Sequence, residues 1–177
     1  MTGAAIGQSL NYGFAGCVSR EGKNSPEIEA HIVASDSENI LFGKPVVLKS
    51  DNTVASPQTE TITAANFLGI AVAEVKTNYT YPIPAGTTVA NNYYAASEVA
   101  DIIVTGSVMV EVTGTPTANG TVYVRTALSS SYPNEVIGDI TANNDSGNVV
   151  ALTNAKFKTG RKDSNNITEL MMIYPTV

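Results

Sequence analysis

The most regular hydrophobic pattern in the chain lies between Asp101 and Val112, with the sequence DIIVTGSVMVEV. Its even positions are apolar or glycine: Ile102, Val104, Gly106, Val108, Val110 and Val112. Its odd positions after Ile103 are more polar: Thr105, Ser107, Met109 and Glu111. Because successive side chains of a strand point to opposite faces, this period of two predicts a β-strand with one face in a core. A turn is predicted over 114–120, and a second strand over 121–126.

Similar short strands are predicted along the rest of the chain, over 28–33, 45–49, 67–75, 136–140, 149–157 and 167–174. Residues 67–75 are apolar on both faces, which indicates a central strand. Residues 167–174 share this property and indicate either a central strand or a subunit interface, with the core favoured. Many short strands separated by turn residues predict an all-β fold, an antiparallel β-sandwich or barrel.

Residues 1–20 lack this periodicity and are rich in glycine, alanine and serine. We expect an extended N-terminal arm over 1–20, followed by a single β-rich domain over 21–177. An arm with spaced aromatic anchors gains little by folding onto its own small domain and more by lying across a neighbour. Tyr12 and Phe14 are therefore the candidate subunit-contact residues.

Composition and charge narrow the range of partners. The chain has 177 residues, which fits one domain, and only 15% are charged, against about 25% in typical soluble proteins. A surface rich in neutral polar groups suits contact with other subunits. The net charge of −6 disfavours binding to a phosphate backbone. We find no signal-peptide pattern and no apolar run of membrane-spanning length, so we expect synthesis in a reducing cytosol and no membrane partner.

Catalytic chemistry has few candidates in the sequence. His31 is the only histidine and Cys17 the only cysteine, which is too few for a structural zinc site. No G-x-S-x-G elbow or phosphate-binding glycine loop occurs. We therefore predict a protein that is not an enzyme and holds no cofactor. Two alternatives stay open: carboxylates that converge only in the fold, and a calcium ion near Asp145, where a simple turn is favoured.

A cluster of basic residues stands apart in this acidic chain: Lys156, Lys158, Arg161 and Lys162. Its simplest interpretation is a solvated strand end and turn. The alternative is a contact with an acidic neighbouring subunit.

Several segments resemble the small capsid cement proteins of tailed bacteriophages. The resemblance begins at NYGFAGCVSREG (11–22) and continues through 28–54, which includes the turn and strand Gly43-Lys44-Pro45-Val46. It extends to NFLGIAVAE (66–74) and to TGSVMVEVTG (105–114) with GTVYVRTA (120–127), which resemble the family's most regular hairpin. NVVALTNAKFKTG (148–160) and ITELMMI (167–173) resemble its last two strands.

The resemblance implies a β-rich structural protein of the virion, made in the bacterial cytoplasm and attached to the outside of the phage head. It implies that the major capsid protein is the partner and that the chain bridges its subunits and stabilises the expanded shell. It also implies self-association, with a homotrimer expected and a dimer possible. The alternative function is a fibre-like or surface adhesion module that binds glycans.

Overall fold

The computed structural model describes residues 12–19, 26–73 and 92–173, which contain strands and no helix. In chain order the strands are β1 (Glu27–Ile32), β2 (Ile40–Leu41), β3 (Pro45–Leu48), β4 (Val54–Ala55), β5 (Phe67–Ala71), β6 (Tyr93–Tyr94), β7 (Val99–Glu111), β8 (Thr121–Arg125), β9 (Ile140–Thr141), β10 (Val149–Lys162) and β11 (Ile167–Met172). The predicted all-β class is confirmed. Within this part of the chain, no helix could span a membrane.

One curled antiparallel sheet contains nine of these strands. Its main path runs β4-β3-β5-β7-β11-β10-β8-β9, and β1 also pairs with β7. Strands β1 and β11 pair with successive stretches of β7, residues 99–105 and 106–111. A parallel bridge between Val33 and Val54 brings the end of β1 back to β4. The sheet therefore curls into a half-barrel, and β2 with β6 forms a separate two-stranded ribbon.

Strand β7 connects two hydrophobic clusters. Ala100 and Ile102 pack in the smaller cluster, whereas Ile103 and Val108 pack in the larger one. Along β7, the residues that point into the core therefore change from even to odd numbers and back to even numbers. This change coincides with a register shift opposite Glu27 and Ile28. Gly106 follows at φ 114°, a conformation that favours glycine. The predicted single apolar face over 102–112 is therefore interrupted, and a bulge moves the side chains to the other face.

The prediction that β7 and β8 form a hairpin is wrong. Strand β8 pairs with β9 and β10, while β11 and β10 lie between β7 and β8. The intervening turn is held by β10 instead, since the Asn119 amide donates to the Phe157 carbonyl at 2.8 Å. Gly120 also accepts a bond from the Phe157 amide.

Two expectations about strand position are confirmed. Strand β5 lies between β3 and β7, as its two apolar faces predicted. Strand β11 lies between β7 and β10, and Ile167, Leu170 and Met172 are buried in the core.

Candidate functional site

His31 contacts groups other than Cys17. The His31 ring lies with Nε2 3.0 Å from a Glu29 carboxylate oxygen and Nδ1 3.3 Å from the Asn52 carbonyl oxygen. Cys17 is half-buried. No group of three metal-ligating side chains is present in residues 12–19, 26–73 and 92–173.

The most polar part of the interior surrounds Arg125, whose side chain is fully buried at the end of β8. Its Nε donates to Glu135 at 2.9 Å, and a second guanidinium nitrogen contacts the same carboxylate. A third nitrogen donates to Asp145 at 2.6 Å. The guanidinium also lies 5.4 Å from the Tyr132 ring centroid. Arg125 thus ties the loop after β8 to the segment before β10.

Glu135 completes this buried network. Its other carboxylate oxygen accepts bonds from Thr113 at 2.7 Å, Thr141 at 2.9 Å and Asn143 at 2.8 Å. Burial by itself would raise the pKa of Glu135, but the bonds from Arg125 and these three donors outweigh it and lower the pKa. The carboxylate is therefore held in its charged form, as a buried ion needs to be.

The turn left open as a calcium site contains one end of this network. Hydrogen bonds from Ser129 and Arg125 lower the pKa of Asp145. Asn148 donates to the same Asp145 oxygen as Arg125, at 3.2 Å. The Arg125 guanidinium therefore supplies the positive charge beside Asp145 that a calcium ion would supply.

Acid should destabilise the fold through these carboxylates. The pKa values of Glu135 and Asp145 are lowered in the folded protein, so the unfolded chain binds more protons in acid and stability rises with pH. Their contribution is complete above the unfolded values of about 4 and is lost as the pH falls through the lower folded values. Urea unfolding from neutral pH downward should show this loss. A stability that stays constant or increases on acidification would contradict the network.

The described part of the N-terminal segment, residues 12–19, lies against the domain. The Gly16 amide donates to the Met109 carbonyl at 2.8 Å, and the Met109 amide donates back to Cys17 at 2.8 Å. Val18 forms an antiparallel bridge with Val108 on β7. Residues 1–11 and Arg20 of the expected arm lie outside the described residues.

A close backbone approach fixes this segment. Gly16 has φ +84°, and a Cβ placed there would lie 2.8 Å from the Ala73 amide nitrogen and 2.9 Å from the Phe42 Cβ. The Ala73 amide donates to the Gly16 carbonyl at 2.8 Å. Glycine is therefore required sterically and conformationally where the segment crosses the domain.

The two predicted contact residues have different surroundings. The Tyr12 amide donates to Asp163 at 2.9 Å in the β10–β11 turn, and the Tyr12 side chain is half-buried. Phe14 is 80% exposed. The segment thus presents an unburied aromatic ring on a backbone anchored at both sides, at Asp163 and at Gly16.

An exposed apolar surface that the sequence analysis did not identify runs along β1. We call it the β1 stripe, and its members are Ile28, Ala30, Ile32 and Val99. Ile32 is paired with Val99, and Ala30 is paired with Asp101. Paired residues point to the same face of a sheet, so the half-buried Asp101 lies in the middle of the stripe. Ile32 is 56% exposed and Val99 57%.

The basic cluster is distributed along β10. Lys158 donates to Glu169 at 2.8 Å and to Ser107 at 3.1 Å. Arg161 and Lys162 are exposed at the end of the strand. Their side chains have no ion-pair partner among the described residues, which agrees with a solvated strand end.

A small cleft opens between the β2–β3 turn and the loop before β9. It encloses about 110 Å³ and is crossed by a 2.7 Å ion pair between Lys44 and Asp139. Ligand pockets usually enclose about 300–1,000 Å³, so this cleft offers little room for a small molecule.

Comparison with known proteins gives one family and one shared fold. The family described as "Structural cement protein (E217 gp24/Pam3 gp6)" matches residues 3–173. No curated protein matches the sequence. A solved chain described as "The capsid of Myoviridae Phage XM1" is similar with a TM-score of 0.63 and 18% identity. The similarity covers 98% of this chain and 99% of that chain.

Proposed function

The chain belongs to the family of phage structural cement proteins, whose place is the virion capsid, and from this premise we propose how it acts. It binds the outside of the phage head, bridges major capsid subunits and stabilises the expanded shell. The role is structural, without turnover of a substrate. The family match over residues 3–173 carries the proposal, because it includes every described surface.

The physical mechanism is mass action. A protein that binds only the assembled, expanded lattice stabilises that lattice by RT ln(1 + [L]/Kd). The fold suits this task because nine of the described strands form one continuous sheet. A rigid domain loses little conformational entropy on binding.

Phe14 is the proposed anchor of the N-terminal segment. A phenyl ring with 80% of its surface exposed gains hydrophobic free energy when a neighbouring subunit covers it. Phe14→Ser should weaken binding to expanded shells about tenfold without changing the domain's melting temperature. Co-sedimentation and circular dichroism measure the two quantities.

Leu128→Ser is the matched control for this prediction. Leu128 is 71% exposed, but it lies on the loop after β8, distant in the strand order from residues 12–19. Its replacement should leave shell affinity unchanged. If both variants change shell affinity equally, Phe14 is not part of the contact.

We propose that copies associate as a homotrimer, which makes attachment multivalent and release of any one contact inconsequential. Light scattering should give a mass about three times the 18.5 kDa of the chain. A dimeric or monomeric mass would contradict the proposed trimer. Shell binding is tested separately.

Shell binding is tested with empty heads that lack the protein, in expanded and unexpanded forms. The protein should saturate expanded shells and bind unexpanded shells much more weakly. No binding to either form would overturn the proposal. Binding to a glycan array instead would favour the adhesion alternative.

A further inference from the structure

We propose that the β1 stripe binds a segment of a neighbouring major capsid subunit in which a lysine or arginine is flanked by apolar side chains. The apolar groups cover the stripe and the cation pairs with Asp101. This inference rests on the proposed function and names one contact surface within it.

The stripe is a contiguous surface. Ile28, Ala30 and Ile32 alternate along β1 with Glu29 and His31, and alternate residues share a face. The pairing of Ala30 with Asp101 and of Ile32 with Val99 extends this face onto β7. Cross-strand neighbours lie about 5 Å apart, so one extended segment can cover all these side chains. Clustered exposure of large aliphatic groups marks interaction sites in soluble proteins.

Asp101 determines the chemistry of the partner. Its side chain is half-buried and makes no hydrogen bond or ion pair with the described residues. An apolar partner lying across the stripe would remove the remaining water from this carboxylate. Burying an unpaired charge is strongly unfavourable, whereas pairing it with a cation compensates for the lost hydration. The segment that covers the stripe therefore has to supply a positive group at this point.

Among the described residues that form the stripe and its strand neighbours, 26–34 and 99–105, there is no lysine or arginine. The acids there are Glu27, Glu29 and Asp101. Their summed negative potential favours a basic partner and steers its approach.

The described cations of a second copy of the chain fit the stripe poorly. Lys44, Lys49, Arg125 and Lys158 are already paired. The exposed Arg161 and Lys162 are preceded by Thr159-Gly160 and followed by Asp163, so their chain neighbours are polar or glycine. Lys156 is half-buried between core residues Ala155 and Phe157. Within the described chain, no unpaired cation has the exposed apolar neighbours that the stripe requires, and the proposed function supplies the major capsid subunit as the partner.

The test compares three variants for binding to expanded empty shells by co-sedimentation. Asp101→Lys should weaken binding at least about tenfold, and the nearly isosteric Asp101→Asn by a smaller but measurable factor. Glu111→Lys is the matched control, since it makes the same charge change at the exposed far end of β7, about 30 Å away. Its affinity should stay within about twofold of wild type.

Each outcome supports or contradicts the proposed contact at the β1 stripe. Loss of affinity in both Asp101 variants, with Glu111→Lys unchanged and all melting curves preserved, supports it. Wild-type affinity in Asp101→Asn and Asp101→Lys overturns it. So does a changed oligomeric mass in light scattering with unchanged shell affinity, because a second copy would then occupy the stripe. If wild-type protein does not bind shells, the proposed function fails first. If Asp101→Lys misfolds, Asp101→Asn alone decides the result.

Discussion

Replacing Arg125 with methionine should lower the free energy of unfolding by about 3 kcal/mol or more. The substitution keeps a long apolar side chain but leaves the Glu135 carboxylate buried without its cation. Asp145 loses its guanidinium partner at the same time. Desolvation that was compensated in the folded state then opposes folding. Urea unfolding at neutral pH, followed by circular dichroism, measures the change.

Two further variants show whether the loss of stability in Arg125→Met comes from the unpaired buried charge. Lys49→Met removes an ion pair with the exposed Asp36 and should leave stability close to wild type, because exposed pairs contribute little. Adding Glu135→Leu to Arg125→Met should recover part of the loss, since it removes the unpaired charge. If the Arg125→Met protein is as stable as the Lys49→Met protein, the buried network does not stabilise the loops that contain Glu135 and Asp145.

Gly69→Ala should destabilise the domain by about 3 kcal/mol, although it adds only a methyl group. Gly69 lies in the middle of β5, and a Cβ there would overlap the Ile103 carbonyl oxygen on β7. That oxygen belongs to the backbone of a central strand, so it cannot move without distorting the sheet. The melting temperature should fall accordingly.

Gly147→Ala is the matched control for Gly69→Ala. Gly147 has φ +91°, and a Cβ added there would meet no atom within 4 Å. Only backbone strain of about 1 kcal/mol is therefore expected. A Gly69→Ala protein as stable as Gly147→Ala would contradict the close approach of β5 and β7.

Local pattern predicted most of the longer strands because alternation and turn residues act over a few neighbouring positions. The strand predicted over 136–140 is wrong, since only Ile140 of that range lies in a strand, β9. Strand β1 was predicted over 28–33 and begins at Glu27, and β3 was predicted over 45–49 and ends at Leu48. Pairing depends on contacts between distant segments, which is why β7 and β8 were wrongly joined as a hairpin. The interruption at Gly106 also escaped the pattern, since a bulge shifts the faces without changing the residue types.

The buried network could not have been found from the sequence. Arg125 lies near the end of the strand predicted over 121–126, where an arginine usually faces solvent. Its partners Glu135 and Asp145 follow at ten and twenty positions, in segments that look like ordinary turns. Only the folding of the loop over β8 brings these charges together.

The contact role of Tyr12 and Phe14 stays a prediction. The spacing of aromatic residues singled out Phe14, whose high exposure is compatible with the proposed contact. The β1 stripe was missed because Ile28 and Ile32 look like core residues of an alternating strand. Their exposure follows from the position of β1, which has β7 as its only strand-length partner in the described sheet.

The most direct test of the central claim is the thermal stability of expanded empty heads titrated with the purified protein. We predict a melting temperature of the shell that rises with protein concentration and levels off when the sites are filled. The same titration of unexpanded heads should give little change. A shell that melts at the same temperature with and without bound protein would contradict the proposed cementing role.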